Sequence, residues 1–247
     1  LQQSRLLLQG PQGDLSLLFW LHLEQPLNSV IYLVEKKPYI DSNQNLELLY
    51  INKMKLQKKE IIKFAKMLND KKLSALRSGN ISIRHKNGFL ITPSGQKYSS
   101  LKVKDIVFVN LKGEFNNKQK PSSEWRFHQD IYISKTNAKA IVHSHSTNAT
   151  ALSTHNKKIP SFHYMVALAG GSDIKCAKYA TYGTRELSKN ILKALKNRFA
   201  CLIANHGQIA FGSSLSEAFE LAEEVDNLAK QYIKALLLGR PKLLSLN

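Results

Sequence analysis

The sequence predicts an α/β domain in which helices and strands pack as layers. Helical periodicity occurs near residue 60, near residue 190 and at the end of the chain, and short β-branched or aromatic runs lie between these segments. No internal repeat indicates a solenoid. Hydrophobic residues make up 43% of the 247-residue chain, which is enough for a buried core. The order of helices and strands therefore favours a layered domain.

Three segments have the pattern of amphipathic helices. In "KKEIIKFAKMLND" the apolar residues Ile61, Ala65 and Leu68 recur at helical spacing. The segment "RELSKNILKALKN" is also predicted to be helical. The last segment, "SLSEAFELAEEVDNLAKQYIKALLLG", begins with a capping box of Ser214 and Glu217 and ends at Gly239. These boundaries predict a long helix whose apolar residues form one stripe.

Four short runs have the composition of strands, because each is rich in β-branched or aromatic residues and ends at Gly, Pro, Ser or Asn. They are "GFLITPSG", "DIVFVNLKG", "AIVHSHS" and "CLIANHGQIAFG". Together with the helices they supply the layers of the predicted domain.

The composition changes near Met54, the first methionine of the chain. Residues 1–53 carry four basic and five acidic side chains, whereas the remainder is strongly basic. The apolar run "LSLLFWLHL" at residues 15–23 is too short to span a bilayer, and no feature predicts membrane association. We therefore expect residues 1–53 to be a poorly ordered or non-native extension and residues 54–247 to form the domain.

Charge and cysteine content narrow the class of protein. The net charge is +18, yet only seven of the 36 basic residues are arginine, the side chain that base recognition prefers. We therefore expect no nucleic-acid partner, while the electrostatic field of the net positive charge would attract a small phosphorylated substrate.

Two cysteines are too few for a disulfide framework, which predicts a cytoplasmic protein.

Two histidines lie one residue apart in "AIVHSHS". In a strand, residues i and i+2 face the same side with alpha carbons about 6–7 Å apart, so His143 and His145 can bind one ion, whereas in a helix they would diverge. Ile141 would share their side, and Val142 and Ser144 would face the other. A catalytic zinc site commonly has a third protein ligand.

His206 and Glu124 are candidates to complete such a site. His206 comes late in an apolar run and precedes Gly207, although a lone histidine there is equally typical of a hydrogen-bonded core residue. Glu124 lies beside Trp125 and Phe127, where we expect desolvation to raise its pKa, as suits a proton shuttle. The alternative for Glu124 is a first-turn residue of a helix that a serine caps.

Short polar turns supply candidate anion sites. "SGNIS" and "TPSG" offer small side chains and exposed backbone N–H groups around Asn80, Ser94 and Gly95. Ser122 and Ser123 precede a predicted helix, whose N-terminus also favours an anion. Each motif alone is more typical of an ordinary turn, but together they are consistent with a phosphate site.

The motifs together resemble the class II aldolase and adducin head family. The matching segments occur in the family's order over roughly residues 54–238 and are "SGNISIR", "GFLITPSG", "KPSSEWRFH", "IVHSHS", "IPSFHYMVALAGG", "CAKYATYGTRELS", "ALKNR" and "NHGQIA". The resemblance implies a three-layer α/β/α domain with a central, mostly antiparallel sheet. It also implies a homotetramer with active sites between adjacent subunits.

The resemblance implies a role for each matched residue. His143, His145 and His206 would bind one Zn²⁺ per subunit, and Glu124 would be the catalytic acid/base and also touch the metal. Tyr164 would reach a neighbouring subunit's site and act on the aldehyde oxygen. The substrate phosphate would be held by Asn80, Ser94, Gly95, Ser122 and Ser123.

The implied reaction is the reversible cleavage of a ketose 1-phosphate, similar to L-fuculose 1-phosphate, into dihydroxyacetone phosphate and an aldehyde. Tyr182 stands where the family's aldolase has Phe, and the segment after Gly239 has no tyrosine to match one in the family's C-terminal tail. These two departures leave the aldehyde and the stereochemistry open.

Other members of the family supply rival interpretations. A 4-epimerase would typically have Asp at the position of Glu124, which favours the aldolase. A dehydratase acting on methylthioribulose 1-phosphate would use the same zinc and glutamate, so it stays open. An adducin-like binding module lacks the histidine set, and the presence of all three histidines argues against it.

Overall fold

A computed structural model describes residues 42–245 of the chain. Residues 1–41, with the apolar run at 15–23, lie outside the described residues. Helix α1 spans Ser42–Asp70 and therefore runs through Met54 without a break. The domain start at Met54 stays a prediction. None of the described helices is both long enough and apolar enough to cross a bilayer.

A seven-stranded sheet forms the centre of the domain. Its spatial order is β3-β2-β1-β4-β7-β6-β5, and every neighbouring pair is antiparallel except β5 and β6. The prediction of a mostly antiparallel sheet is confirmed. The strands are β1 Asn80–His85, β2 Gly88–Ile91, β3 Val107–Asn110, β4 Ala140–Ser144, β5 Cys176–Ala177, β6 Ala200–Ile203 and β7 Gly207–Gly212.

Helices cover both faces of the sheet and make the domain three-layered. Side chains of α1, of α3 (Thr147–Ser153) and of α5 (Leu215–Leu237) share one hydrophobic core with one face of the sheet. Side chains of α2 (Trp125–Ser134) and α4 (Arg185–Ala194) form a second core on the other face. The α/β fold with this layering is confirmed.

Strand β4 shows how the sheet sorts its residues between the two cores. Ala140 and Val142 point to the α1/α3/α5 side, and Ile141 points to the α2/α4 side. Because side chains alternate along a strand, His143 follows Ile141 onto the side of α2. Ile141 therefore shares a side with the histidine pair, as the sequence predicted.

The ends of α5 agree with its predicted capping. The Ser214 hydroxyl accepts a hydrogen bond from the Glu217 N–H at 3.1 Å. In a capping box the Glu217 carboxylate would accept a hydrogen bond from the N–H of the N-cap residue Ser214. Here it accepts from the N–H of Ser213 instead. The helix ends at Leu237, and Gly239 adopts a φ of 114°, which glycine tolerates.

Two strand assignments from the sequence need correction. The run "CLIANHGQIAFG" is not one strand but a hairpin of β6 and β7, because Asn205 turns the chain with a φ of 54°. The segment "NISIRH" forms β1, although the sequence predicts only a turn around Asn80. Its polar and basic residues concealed a strand that is buried along most of its length.

Candidate metal centre and active site

Three histidines and one glutamate meet at one end of the sheet. Glu124, His143, His145 and His206 each offer a ligand atom, and these atoms all lie within 4.8 Å of one another. The ring centroids of the three histidines are 4.8 Å apart in every pair. The structure thus brings together the four residues that the sequence proposed as metal ligands.

Strand pairing places the imidazoles. His143 lies in β4 opposite Ile209 of β7, and His145 follows directly after the end of β4. The Nε2 atoms of these two histidines are 3.0 Å apart, so the prediction that they face the same side is confirmed. His206 lies in the tight connection between β6 and β7, which brings a residue distant in sequence beside the pair.

Gly207 lets this connection approach β4 closely. A Cβ at Gly207 would lie 2.3 Å from the carbonyl oxygen of Ser144, a distance that no side chain tolerates. Only glycine therefore permits the approach that sets His206 next to His145.

Glu124 reaches the histidines from the helix layer that covers their side of the sheet. It occupies the N-cap position of α2 and is 7% exposed. Its Oε2 lies 3.2 Å from His143 Nε2, and its Oε1 lies 3.2 Å from His206 Nε2. The hydroxyl of Ser122 accepts a hydrogen bond from the Glu124 N–H, so this serine caps the turn that presents the carboxylate.

The electrostatics of Glu124 differ from the sequence-based expectation. Burial acts to raise its pKa, but the imidazoles of His143 and His206 lower it, and the net shift holds the pKa well below its usual range. The expected increase from desolvation beside the aromatic residues is therefore wrong. The cause is the pair of histidines, which stabilises the carboxylate at neutral pH.

The donor atoms fit a divalent cation. His143 Nδ1 donates to the backbone carbonyl of Gln208 at 2.8 Å, so the Nε2 of a neutral ring carries a lone pair that points into the cluster. Burial lowers the pKa of His145 to about 3 and keeps its ring neutral. Glu124 Oε1 is buried and has no hydrogen-bond partner among the described residues. A bound cation would satisfy the imidazole lone pairs that face one another.

A cavity of about 380 Å³ opens beside the cluster. Asn80, Ser94, Gly95, Ser122 and Ser123, which are the predicted phosphate-binding residues, all line it together with Glu124, His145 and His206. The three polar turns thus converge on one space.

Asn80 makes contacts that the sequence did not reveal. Its side chain is buried, with Nδ2 donating to Glu124 Oε2 at 3.0 Å and Oδ1 accepting from His128 Nε2 at 2.5 Å. Both ends of the amide are therefore engaged within the protein. Its predicted contact with phosphate stays a prediction.

Tyr164 lies apart from this cavity within one chain. It begins a short 3₁₀ segment, Tyr164–Ala169, and its side chain is 71% exposed. It is absent from the residues that line the cavity. The structure thus does not bring Tyr164 to the cluster of its own subunit.

The sequence did not indicate several further residues that line the cavity. Arg77, Tyr179 and Asn205 border the same cavity, and Arg77 also donates to the Gly95 carbonyl at 3.1 Å. Arg77 is the one lysine or arginine among the described residues that line the cavity. The sequence feature that could have identified Arg77 is its position directly before "SGN", one of the predicted anion-binding turns.

Comparisons with known proteins agree with this geometry. Residues 59–233 match the class II aldolase and adducin N-terminal domain. A 5-methylthioribulose-1-phosphate/5-deoxyribulose-1-phosphate aldolase of Rhodospirillum rubrum is 48% identical over 68% of this chain and 76% of the relative. An L-fuculose phosphate aldolase of Escherichia coli K12 is also 48% identical, over 66% of this chain and 76% of the relative.

Solved structures give the same result. An L-fuculose 1-phosphate aldolase has a TM-score of 0.74 and 40% identity, covering 77% of this chain and 91% of that one. The L-fuculose-1-phosphate aldolase of Thermus thermophilus has a TM-score of 0.64 and 28% identity, covering 74% and 96%. The chain therefore belongs to the class II aldolase and adducin family, and it is an aldolase, a lyase.

Proposed function

We propose that the protein is a zinc-dependent aldolase that reversibly cleaves a ketose 1-phosphate between C3 and C4. The products would be dihydroxyacetone phosphate and an aldehyde. The observation that carries the proposal is the position of the Glu124 and histidine cluster in the wall of a cavity lined by polar turns. The relatives named above act on sugar phosphates that share this ketose 1-phosphate end.

The metal would be held by His143, His145 and His206, with Glu124 as an additional ligand. Three imidazoles and one carboxylate suit Zn²⁺, and one ion per subunit fits the one such cluster found among the described residues. When bound, the cation would act as a Lewis acid for the negative charge that develops on substrate oxygens during bond cleavage.

Glu124 would transfer the proton at C3. In the cleavage direction the C4 hydroxyl would pass its proton to the group that acts on the aldehyde oxygen, and the C3–C4 bond would break with its electron pair left on C3. C3 would then take up a proton from Glu124 in its protonated form, which leaves the carboxylate. In the synthetic direction the carboxylate removes that proton. The low pKa of Glu124 keeps the group ionised for this second role.

The phosphate would lie among Ser94, Gly95, Ser122 and Ser123, with Asn80 beside them. Serine hydroxyls and exposed backbone N–H groups are suitable donors to phosphate oxygens. Arg77 borders the same turns and adds a positive charge next to the Gly95 carbonyl. These contacts would fix the substrate so that C3 lies near Glu124.

Tyr164 would act on the aldehyde oxygen in the site of a neighbouring subunit. The exposure of its side chain and its absence from the cavity lining within one chain support this role. The protein would then be a homotetramer whose sites lie between adjacent subunits.

The domain would consist of residues 54–247. Among the residues of α1 from Leu48 onward, the first fully buried core residue is Ile61, whereas Leu48, Leu49 and Ile51 are more than half exposed. Removal of residues 1–53 would thus leave the packed part of the helix in place. We expect the truncated protein to be soluble and active, and insoluble protein after truncation would refute this boundary.

The aldehyde distinguishes two candidate substrates. L-fuculose 1-phosphate would release lactaldehyde, and a second candidate, 5-deoxyribulose 1-phosphate or its methylthio derivative, would release a shorter or sulfur-containing aldehyde. The equal identity to both kinds of aldolase supports keeping the second candidate. Tyr179 and Tyr182 line the cavity and are available to contact this part of the substrate.

An assay of dihydroxyacetone phosphate release tests the proposal. The purified protein would be given L-fuculose 1-phosphate, 5-deoxyribulose 1-phosphate and 5-methylthioribulose 1-phosphate, and kcat/KM would be compared. Release from at least one of them is expected. Loss of water from the substrate without release of dihydroxyacetone phosphate would support the dehydratase instead.

A further inference from the structure

A buried row of polar side chains connects the interior of the α2 layer to Glu124. His128 lies on α2, four residues after Glu124, and its ring is fully buried. Its Nδ1 lies 2.7 Å from the Ser82 hydroxyl, and its Nε2 lies 2.5 Å from Asn80 Oδ1. The Ser82 hydroxyl in turn lies 2.8 Å from the Tyr132 hydroxyl. The proposed function gives no role to His128, Ser82 or Tyr132.

The donor and acceptor groups of these side chains determine which atom donates in each hydrogen bond of the row. Glu124 is an acceptor, so the Asn80 amide must present its N–H to the carboxylate and its oxygen to His128. That oxygen can only accept, so His128 must carry its proton on Nε2. The lone pair on Nδ1 then accepts from Ser82, whose oxygen accepts from Tyr132.

The surroundings of His128 favour the neutral ring that this direction requires. Phe127 stacks on the imidazole at 4.9 Å between centroids, and Phe89 lies at 6.4 Å on a nearly parallel plane. Burial, followed by the charge of His143, lowers the pKa of His128 to about 3. A neutral imidazole has one donor and one acceptor, which match Asn80 and Ser82.

The row makes the two oxygens of the Glu124 carboxylate unequal. Oε2 accepts the hydrogen bond from Asn80, whereas Oε1 faces His206 Nε2 at 3.2 Å and accepts no assigned hydrogen bond from the residues that the structure describes. A carboxylate held on one oxygen keeps its orientation, and the other oxygen stays available for a proton. His128 fixes this asymmetry because it decides which end of the Asn80 amide faces Glu124.

We propose that His128 is a positioning residue that, through Asn80, holds Oε2 of Glu124 and leaves Oε1 to exchange the proton with C3 of the substrate. The inference rests on the proposed role of Glu124. His128 touches neither the substrate nor the reacting atoms, so its effect is on the rate of proton transfer and not on substrate binding. Ser82 and Tyr132 fix the tautomer of His128 from the other side.

Two amide substitutions separate this role from a purely structural one. In His128→Gln the side-chain amide can place an N–H near the position of Nε2 and donate to Asn80. In His128→Asn the shorter amide reaches toward Ser82 but not toward Asn80. Both variants put a neutral amide in the same buried space, so they form a matched pair.

We expect kcat of His128→Asn to fall by about 10- to 100-fold, as is typical for residues that orient a metal-site ligand. KM and metal content are expected to stay close to those of the unmodified protein, and His128→Gln should recover most of the rate. Equal losses in both variants, in parallel with a lower melting temperature, would show a structural role and overturn the proposal. Equal and full activity in both would also overturn it.

The tautomer of His128 can be measured by NMR, and this test of the inference requires neither bound metal nor enzyme activity. Long-range ¹H–¹⁵N NMR spectra of the metal-free full chain distinguish the protonated from the unprotonated ring nitrogen. Protonation on Nε2 alone is expected near neutral pH. Protonation on Nδ1, or on both nitrogens, would overturn the inference even if neither variant folds.

The two experiments also keep this inference distinct from the proposed function. If the unmodified protein releases no dihydroxyacetone phosphate from any tested sugar, the proposed function fails, while the NMR spectrum still decides the direction of the hydrogen bonds. If the unmodified protein is active and His128→Asn equals it, only the positioning role fails.

Discussion

Glu124 is the residue on which the proposed proton transfer depends. Replacement of its carboxylate in Glu124→Gln keeps the size of the side chain and the hydrogen bond from Asn80 but removes the base. We expect kcat to fall by about 100-fold or more, the usual contribution of a general acid or base. The control is Glu186→Gln, since Glu186 is exposed in the first turn of α4. Unchanged kcat in Glu124→Gln would remove Glu124 from the mechanism.

Arg77 tests the proposed phosphate region. In Arg77→Gln we expect KM for the ketose 1-phosphate to rise about tenfold, because a charge-assisted hydrogen bond is lost, while kcat stays the same. Lys97→Gln is the matched control, since Lys97 is exposed and does not line the cavity. A similar rise in KM for Lys97→Gln would indicate a general effect of positive charge, and no rise in Arg77→Gln would exclude the contact.

The residues of the cluster were predictable to different degrees. The alternation of side chains along a strand was enough to place His143 and His145 on one side, because it depends only on neighbouring residues in the sequence. His128 gave no signal, since a single histidine on an amphipathic helix does not indicate its partners. The downward shift in the pKa of Glu124 was also hidden, because it comes from His143 and His206 on distant strands.

At the scale of elements, the β6–β7 hairpin decides where His206 lies. In Gly207→Ala the new Cβ would meet the Ser144 carbonyl, so the hairpin must move away from β4. We expect the free energy of unfolding to fall by about 1–3 kcal/mol, the cost of overpacking, and metal affinity to fall with it. Denaturant titration and metal titration measure the two effects.

Asn205→Gly is the control for that hairpin. Asn205 has a positive φ, which glycine adopts without strain, so metal affinity should be retained. If Gly207→Ala bound metal as tightly as the unmodified protein, the close approach of β7 to β4 would not be what positions His206.

Helix ends were easier to predict than strand pairing. The hydroxyl of Ser214 and the φ of Gly239 are local signals, and both ends of α5 were found near the predicted positions. The hairpin at Asn205 was read as a continuous strand, since its flanking residues are apolar on both sides. Strand order depends on contacts between distant segments, so the sequence did not predict it. Only the mostly antiparallel character of the sheet followed, and it followed from the family resemblance.

At the scale of the whole molecule, the proposed homotetramer makes a prediction about shared sites. A Tyr164→Phe variant and a His143→Ala variant should each have low activity, because each lacks one part of the site. Hybrid tetramers would contain sites with an intact cluster from one subunit and an intact Tyr164 from its neighbour. We therefore expect co-expression of the two variants, with a different tag on each, to restore part of the activity.

Two controls accompany the hybrid experiment. Light scattering should show four subunits per particle, and a mixture of the two variants without subunit exchange should stay inactive. Hybrids that are no more active than the single variants would mean that Tyr164 does not act across a subunit boundary.

The central claim is that the Glu124 and histidine cluster holds a catalytic divalent cation. The most direct test measures metal content and dihydroxyacetone phosphate release on the same sample, before and after removal of metal by a chelator and again after addition of Zn²⁺. We predict one ion per chain, loss of activity with the ion and recovery with Zn²⁺, and no binding in His143→Ala. Full activity in metal-free protein would contradict the claim.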